Sequence, residues 1–259
     1  MITNDSPNPV SGYFDLVGSR TVNGYVSTEK DGSSERKQSP HAGENRHTAI
    51  EFPEAKPENS VQVIVERIIA TMAFLFFLPL MVLIGLYIKV LSKGPAVFRQ
   101  DRVGRGGKTF KFVKFRTMYI DARERFPELY AYKYDPEDLT GFHFKVANDP
   151  RVVKGCMWLR TTTLDELPNF WNVMTGSMAL TGPRPEIPEM LQYYKGEMLE
   201  KFSVRPGITG LAQASGRGNL NFYESVACDL ENVRRQSPWF SVQLLWKTLW
   251  KVITREGAF

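Results

Sequence analysis

Two acidic side chains stand next to each other in the stretch TTTLDELPNFWNV, at Asp165 and Glu166. A carboxylate pair can divide nucleophilic and proton-transfer work between its members, or it can simply begin a helix. Thr163-x-x-Glu166 has the spacing of a capping box, in which the two side chains each accept a backbone NH. With Thr163 as N-cap, however, Pro168 becomes the fifth helical residue, where a backbone hydrogen bond is due. With Asp165 as N-cap, Pro168 is third, where the NH is orphaned in any case. The second frame also sets Leu167, Phe170, Trp171 and Met174 at helical spacing. It predicts both carboxylates at the positive end of a helix dipole, where they stay ionised and a phosphate is also favoured.

Arginines accompany the pair. Arg160 precedes Asp165, TGPRPE holds Arg184 between two prolines, and VRPGITGLAQASGR carries Arg205 and Arg217 in loops stiffened by glycine and proline. Rigidly presented guanidinium groups suit two-pronged recognition of phosphate. The histidines, His41, His47 and His143, are far apart, and Cys156 and Cys228 cannot form zinc-type spacing, so neither residue type suggests a metal site. Two isolated thiols also fit a reducing compartment. The GKT at Gly107–Thr109 fails as a P-loop: the motif needs glycine at position 102, which is Arg102, and a helix should follow.

Four kinds of segment must position these residues. Residues 1–59 are rich in Ser, Gly, Asn, Pro, Glu and Lys, too poor in apolar side chains to offset the entropy of ordering, and are expected to form a disordered tail; GYFDLVG within it is a candidate partner contact. Residues 60–93 hold a membrane candidate. Between Arg67 and Lys89 lie 21 residues without a charge, apolar on every face, enough for a helix matching a bilayer core of about 30 Å. Pro79 near its middle predicts a kink, and Arg67, Lys89 and Lys93 at its two ends favour keeping both ends in the cytoplasm. A re-entrant helical hairpin and a straight span both satisfy this pattern. Residues 94–259 form the remainder. In it AVFRQDRVGRGGKTFKFVKFRTM reads as two strands about a glycine-rich turn at 104–107, residues 119–142 as a helix and loop, and SPWFSVQLLWKTLWKVITREG as an amphipathic helix capped by Ser237 with Pro238 first. The stripe Val242, Leu245, Trp246, Leu249 and Ile253, bordered by Trp239, Trp250, Lys247 and Lys251, suits either core packing or a membrane interface.

Charge separates along the chain. The net charge is +5, yet the tail carries nine acids against six Lys/Arg, leaving the rest at +8. Eleven Lys/Arg against three acids fall between Lys89 and Arg125, next to the membrane candidate. That surface suits anionic headgroups or phosphate ligands. The basic residues form no recognisable nucleic-acid module, so nucleic acid is not the expected partner. The N-terminus shows no secretory signal pattern, so the bulk of the chain is expected in the cytoplasm.

The blocks GPAVFRQDRVGRGGKTFKFVKFRTM, DPRV, LRTTTLDELPNFWNVMTGSMALTGPRPE and VRPGITGLAQASGR together resemble the signature of the bacterial sugar transferases, the monotopic phosphoglycosyl transferases. The resemblance runs from about Glu66 to Phe259. It implies an α+β, mostly helical fold with a re-entrant helix, a small β-hairpin and interfacial helices. It implies transfer of a sugar-1-phosphate from a UDP-hexose to polyprenyl (undecaprenyl) phosphate through a covalent aspartyl-phosphosugar intermediate, giving polyprenyl-diphosphate sugar and UMP, the first membrane step of exopolysaccharide or other glycan assembly. Asp165 would be the nucleophile and a ligand of Mg²⁺, with Glu166 assisting proton transfer. Arg116, Arg160, Arg184, Arg205, Gln213 and Arg217 would contact phosphate or nucleotide sugar, and Pro79 would break the membrane helix. The implied partners are the UDP-sugar, the polyprenyl phosphate and membrane lipids, and the family admits a homodimer. The implied location is the bacterial inner membrane, with the catalytic domain on the cytoplasmic face. Leu78, Asn232 and Ser241 depart from the residues usual in the family.

Overall fold

In the computed structural model the apolar run becomes one helix, α1 (Ser60–Leu91). The structure describes residues 50–135, 138–142, 148–216 and 219–254, apart from the side chains of Val252 and Ile253. Asn59 caps α1 by accepting from Val61 N and Gln62 N. The helix assignment runs on through Pro79. Among the described residues α1 is the one helix long and apolar enough to cross a membrane, with a mean hydropathy of 2.6.

Much of the α1 surface is bare of protein: Ile64, Ile68, Met72, Phe76, Leu83 and Val90 are all exposed. Its buried stripe packs along the rest of the molecule at two levels. Ala70 meets Phe112, Val173, Met178 and Leu180, whereas Met81, Ile84 and Ile88 meet Phe115, Val152, Cys156 and Leu159. Each fully buried aliphatic side chain of this kind stabilises the fold by about 1.5–3 kcal/mol.

The hairpin reading holds. β1 (Val97–Val103) pairs antiparallel with β2 (Thr109–Phe115) through a tight turn at Arg105–Gly107. Gly107 has φ +75°, and a Cβ there would strike the Phe52 ring at 2.3 Å. The outer edge of β2 is satisfied by one side chain: Asn172 accepts from Val113 N and donates to Lys111 O. Two short helices follow, α2 (Ala122–Arg125) and α3 (Met157–Thr161). A 3-10 turn over Leu164–Asn169, called the acidic turn below, then leads into α4 (Phe170–Met174).

A parallel two-stranded sheet, absent from the sequence reading, links the two Arg-Pro loops. β3 (Ala179–Thr181) pairs with β4 (Gly207–Thr209). Here TGPRPE and VRPGITG touch backbone to backbone: a Cβ on Gly207 would come within 2.1 Å of Gly182 N. Only glycine permits that approach, and it fixes one loop against the other.

Three helices close the chain: α5 (Leu211–Ser215), α6 (Phe222–Arg234) and α7 (Pro238–Thr254). Asn221 and Glu224 form a capping box at α6. Two of the departures from the family pattern prove to be bonded. Asn232 accepts from Leu211 N at the start of α5, and Thr181 donates to Ser241 Oγ at 2.8 Å. Ser237 caps α7 by accepting from Phe240 N. The helix meets the core through Ser241, Leu244 and Thr248, the last bonded to Thr209. The opposite face leaves Val242, Leu245, Trp246, Leu249 and Trp250 exposed. The stripe predicted by the periodicity is therefore the outward one, and the narrower stripe of Ser241, Leu244 and Thr248 does the packing.

The expected disordered tail ends too late. Residues 1–49, with the GYFDLVG contact, lie outside the described residues, but 52–58 run extended along the body. Phe52 stacks edge-on against Phe202, Lys56 N donates to Ser203 O, and Glu58 pairs with both Arg105 and Arg205.

Candidate active site

The acidic turn has the N-cap residue of the first frame but lacks that residue's side-chain capping bond. Thr163, not Asp165, occupies the N-cap, in a left-handed conformation with φ 63°, and its side chain makes no capping bond. Pro168 lies inside a 3-10 turn and contributes no backbone donor to it. The left-handed residue turns the chain sharply out of α3, so that the acidic turn lies against β2.

Asp165 is 7% exposed and Glu166 is partly buried beside it. Arg184 grips Glu166 with both terminal nitrogens, Nη2 to Oε1 at 2.7 Å and Nη1 to Oε2 at 3.5 Å. Pro183 and Pro185 flank Arg184 and limit its backbone. Glu166, chiefly, raises the Arg184 pKa above the ordinary arginine value. About a third of the Arg184 side chain stays exposed, which leaves it open to a ligand.

Arg160 in the last turn of α3 lies 3.9 Å from Asp149. Asp149 is in turn clasped by Arg151 at 2.9 and 2.8 Å. Burial works to raise the Asp149 pKa, but the hydrogen bonds and charge of Arg151 prevail and hold it below the ordinary value. The DPR stretch is thus a brace behind Arg160.

Two further cations belong to this group, and the sequence reading did not single them out as site residues. Burial lowers the Lys114 pKa to about 8, against the pull of Asp165 and Glu166, with Arg102 and Arg160 adding repulsion. Burial likewise lowers Arg102 to about 10, with Glu186 opposing and Arg184 repelling. A signal for Lys114 was present in FKFVKF: it shares a strand face with Phe110 and Phe112, a lone cation on an aromatic stripe. Asp165 and Glu166 therefore share their surroundings with Arg102, Lys114, Arg160 and Arg184, with Glu186 and Asp149 set against Arg102 and Arg160. Cations gathered about a partly open site favour an anionic ligand.

Other expected phosphate ligands are engaged elsewhere. Arg116 donates to Pro95 O, Ser92 Oγ and Ser92 O, closing the end of α1. Arg205 is buried, with Nη2 2.9 Å from Glu66, Nε bonded to Glu58 and Nη1 3.0 Å from Met178 O. Every guanidinium nitrogen of both residues has a protein acceptor. Gln213 donates weakly to Ile208 O at 3.4 Å, and its Oε1 is buried without a partner. Arg217 lies outside the described residues.

A groove of about 800 Å³ opens between α1 and the hairpin. Phe74, Leu78 and Met81 wall one side and Val113 and Phe115 the other, while Pro168 and Trp171 bring the acidic turn and α4 to it. Arg99 and Lys111 supply its positive charge. An apolar cleft that begins on the bare side of α1 and reaches the segment carrying both acids suits an amphiphile with an anionic head.

Comparison with known proteins agrees with this chemistry. The family model for bacterial sugar transferases matches residues 57–255. The galactosyl transferase CpsE of Streptococcus agalactiae is 40% identical over 64% of this chain and 36% of its own length. The UDP-glucose:undecaprenyl-phosphate glucose-1-phosphate transferase of Escherichia coli is 36% identical over 74% of this chain and 40% of its own. The exopolysaccharide production protein ExoY of Rhizobium meliloti is 34% identical over 73% of this chain and 84% of its own. The chain thus spans two fifths or less of the first two relatives and most of the third.

Proposed function

Because the chain belongs to the bacterial sugar transferase family, we propose that it transfers a sugar-1-phosphate from a UDP-hexose to undecaprenyl phosphate, the substrates named for one of its relatives. The observation that carries this reading is the acid pair itself: Asp165 and Glu166, the latter gripped by Arg184, share their surroundings with three more cations. A diphosphate fits that charge, and a carboxylate beside it is placed for attack on phosphorus.

The reaction has two steps. Asp165 attacks the β-phosphorus of the donor, a P–O bond breaks, and UMP leaves with the bonding electrons. A phosphate oxygen of the acceptor then attacks the same phosphorus, the bond to Asp165 breaks, and the carboxylate is regenerated. Glu166 takes any proton the acceptor phosphate carries and is held ready by Arg184. Arg160, Arg184 and Lys114 balance charge on the phosphates.

Among the described residues no cluster of three or more His, Cys, Asp or Glu could hold a metal. The adjacent carboxylates Asp165 and Glu166 still fit Mg²⁺, which takes one or two carboxylates and completes its shell with water and substrate phosphate. Asp165 would hold it, and the ion would supply further neutralisation of phosphate charge.

We place the protein at the cytoplasmic face of the inner membrane with both ends of α1 on that side and Pro79 as the bending point. The support is that the body packs on α1 from Glu66 to Ile88, roughly 33 Å of helix at 1.5 Å per residue. A straight span would carry that body, with its charges, through a hydrocarbon core of about the same thickness. The groove then receives the acceptor's isoprenoid chain from the lipid side.

The test is labelling with UDP-glucose and UDP-galactose bearing ³²P at the β position. The native chain should take up protein-bound label and pass it to undecaprenyl phosphate. Asp165→Asn should retain none. Undiminished labelling of that variant would remove Asp165 as the nucleophile.

A further inference from the structure

Outside the acid pair lies a second charged cluster that the transfer steps above do not use. Lys201 Nζ is 3.0 Å from Asp229 Oδ2, 3.4 Å from Glu186 Oε2 and 3.0 Å from the Tyr194 hydroxyl. Tyr194 donates to Glu186 Oε2 at 2.7 Å. Lys201, Asp229, Glu186 and Tyr194 are all buried, with the Lys201 side chain 3% exposed. Burial works against the Lys201 ammonium, but Asp229 and Glu186 outweigh it and raise its pKa above the ordinary lysine value.

The cluster is bonded to the loop that carries Arg184. Asp229 Oδ1 accepts from Arg184 N at 3.3 Å, and Glu186 Oε1 accepts from Ile187 N at 3.0 Å. From the hairpin side, Val103 N donates to Glu186 O at 2.7 Å and Arg102 Nη1 to Pro185 O at 3.1 Å. Lys201 joins the two acids that hold the loop at either side of Pro185. An apolar plug of similar volume would stabilise a fold as well or better than a buried ion cluster. It would not provide the acceptor for Arg184 N or fix the two carboxylates relative to each other.

We propose that Lys201 is a positioning residue that, by bridging Glu186 and Asp229, sets the backbone at Arg184 and so aims its guanidinium at Glu166 and the substrate phosphate. The proposal rests on the phosphotransfer reading of the site. A displacement of about 1 Å in such a group costs on the order of 100-fold in rate, so loss of the bridge should be visible in turnover.

The experiment is a double-mutant cycle of Lys201→Met and Arg184→Lys, read as UMP release from a UDP-sugar with undecaprenyl phosphate and, in parallel, as thermal unfolding. Lys201→Met should lower kcat/KM roughly 10- to 100-fold in the native background and less than about threefold beside Arg184→Lys. The drop in Tm should be the same in both. Equal losses of activity in the two backgrounds, or native kcat/KM in folded Lys201→Met, would overturn the proposal. Should Lys201→Met not fold, Tyr194→Phe removes one hydrogen bond to Glu186 and carries the same cycle with a smaller loss, about threefold against none. If the wild-type protein releases no UMP from any UDP-sugar, the phosphotransfer reading itself fails and the proposal with it.

Discussion

Arg205→Met separates two roles for an arginine that its sequence setting assigns to phosphate. Arg205 is 8% exposed and Glu66 is 6% exposed, with Nη2 and Oε2 2.9 Å apart. Removing the guanidinium leaves the Glu66 carboxylate buried with a hydrogen bond from Gln62 and no cation in its place. Glu58, more exposed, can return to water and keeps Arg105. The cost therefore comes mainly from Glu66, and breaking a buried pair in this way costs about 3–5 kcal/mol. For a folded unit of about 200 residues, each kcal/mol shifts Tm by roughly 2–4 °C, so the variant should melt on the order of 10 °C lower. The assay is near-UV circular dichroism on heating in detergent micelles, paired with UMP release against UDP-sugar concentration. KM for the donor should stay within about twofold of native, and adding Glu66→Gln should restore most of the lost Tm by removing the stranded charge. An unchanged Tm together with a tenfold rise in KM would refute this reasoning and return Arg205 to the substrate.

Three further outcomes are expected. Arg184→Gln, which keeps length but removes charge, should lower kcat/KM for the donor about 100- to 1,000-fold, the scale of losing one charge-stabilising donor; a loss under threefold would reduce Arg184 to a support for Glu166. Asp149→Asn should destabilise the protein by about 1.5–3 kcal/mol at neutral pH, the scale of hydrogen bonds to a charged group. Because the folded Asp149 pKa lies below the ordinary 3.8, the stabilisation is complete above that value and is lost as pH falls through the folded pKa; urea titrations of both proteins should converge only in strong acid, and convergence near pH 6 would contradict the Asp149–Arg151 clasp. Val61→Cys and Val90→Cys, both at exposed positions near opposite ends of α1, should react with a membrane-impermeant maleimide from the same side of the membrane, the native thiols being buried; labelling from opposite sides would establish a span.

Much of the fold was legible because it follows from local pattern. An uncharged run of 21 residues admits little but a helix, and Ser237-Pro238 marks the start of α7 in the only way that pair of residues readily allows. The acid pair and Arg184 were legible because TLDE and GPRPE present charge beside proline. What escaped depends on residues far apart in sequence. Arg205 looks like a phosphate ligand until Glu66 is brought against it, and Lys114 looks like one more surface lysine until the acidic turn covers it. The pairing of β3 with β4 spans three residues on each side and rests on glycines in contact, below what strand periodicity can register. The outward stripe of α7 was read correctly as a pattern, but periodicity does not say which face meets protein, and here three inward residues, Ser241, Leu244 and Thr248, settle it.

The pairing of Glu66 with Arg205 also bears on the order of events during synthesis. The two residues are 139 positions apart, so a ribosome adding about 5–20 residues per second makes the arginine roughly 7–28 s after the glutamate. Throughout that interval Glu66 has Gln62 beside it but not the cation that neutralises it in the folded body. The contact that ties the start of the helix to the second Arg-Pro loop therefore closes late, and a chain interrupted before Arg205 should be more open to proteolysis along residues 52–66.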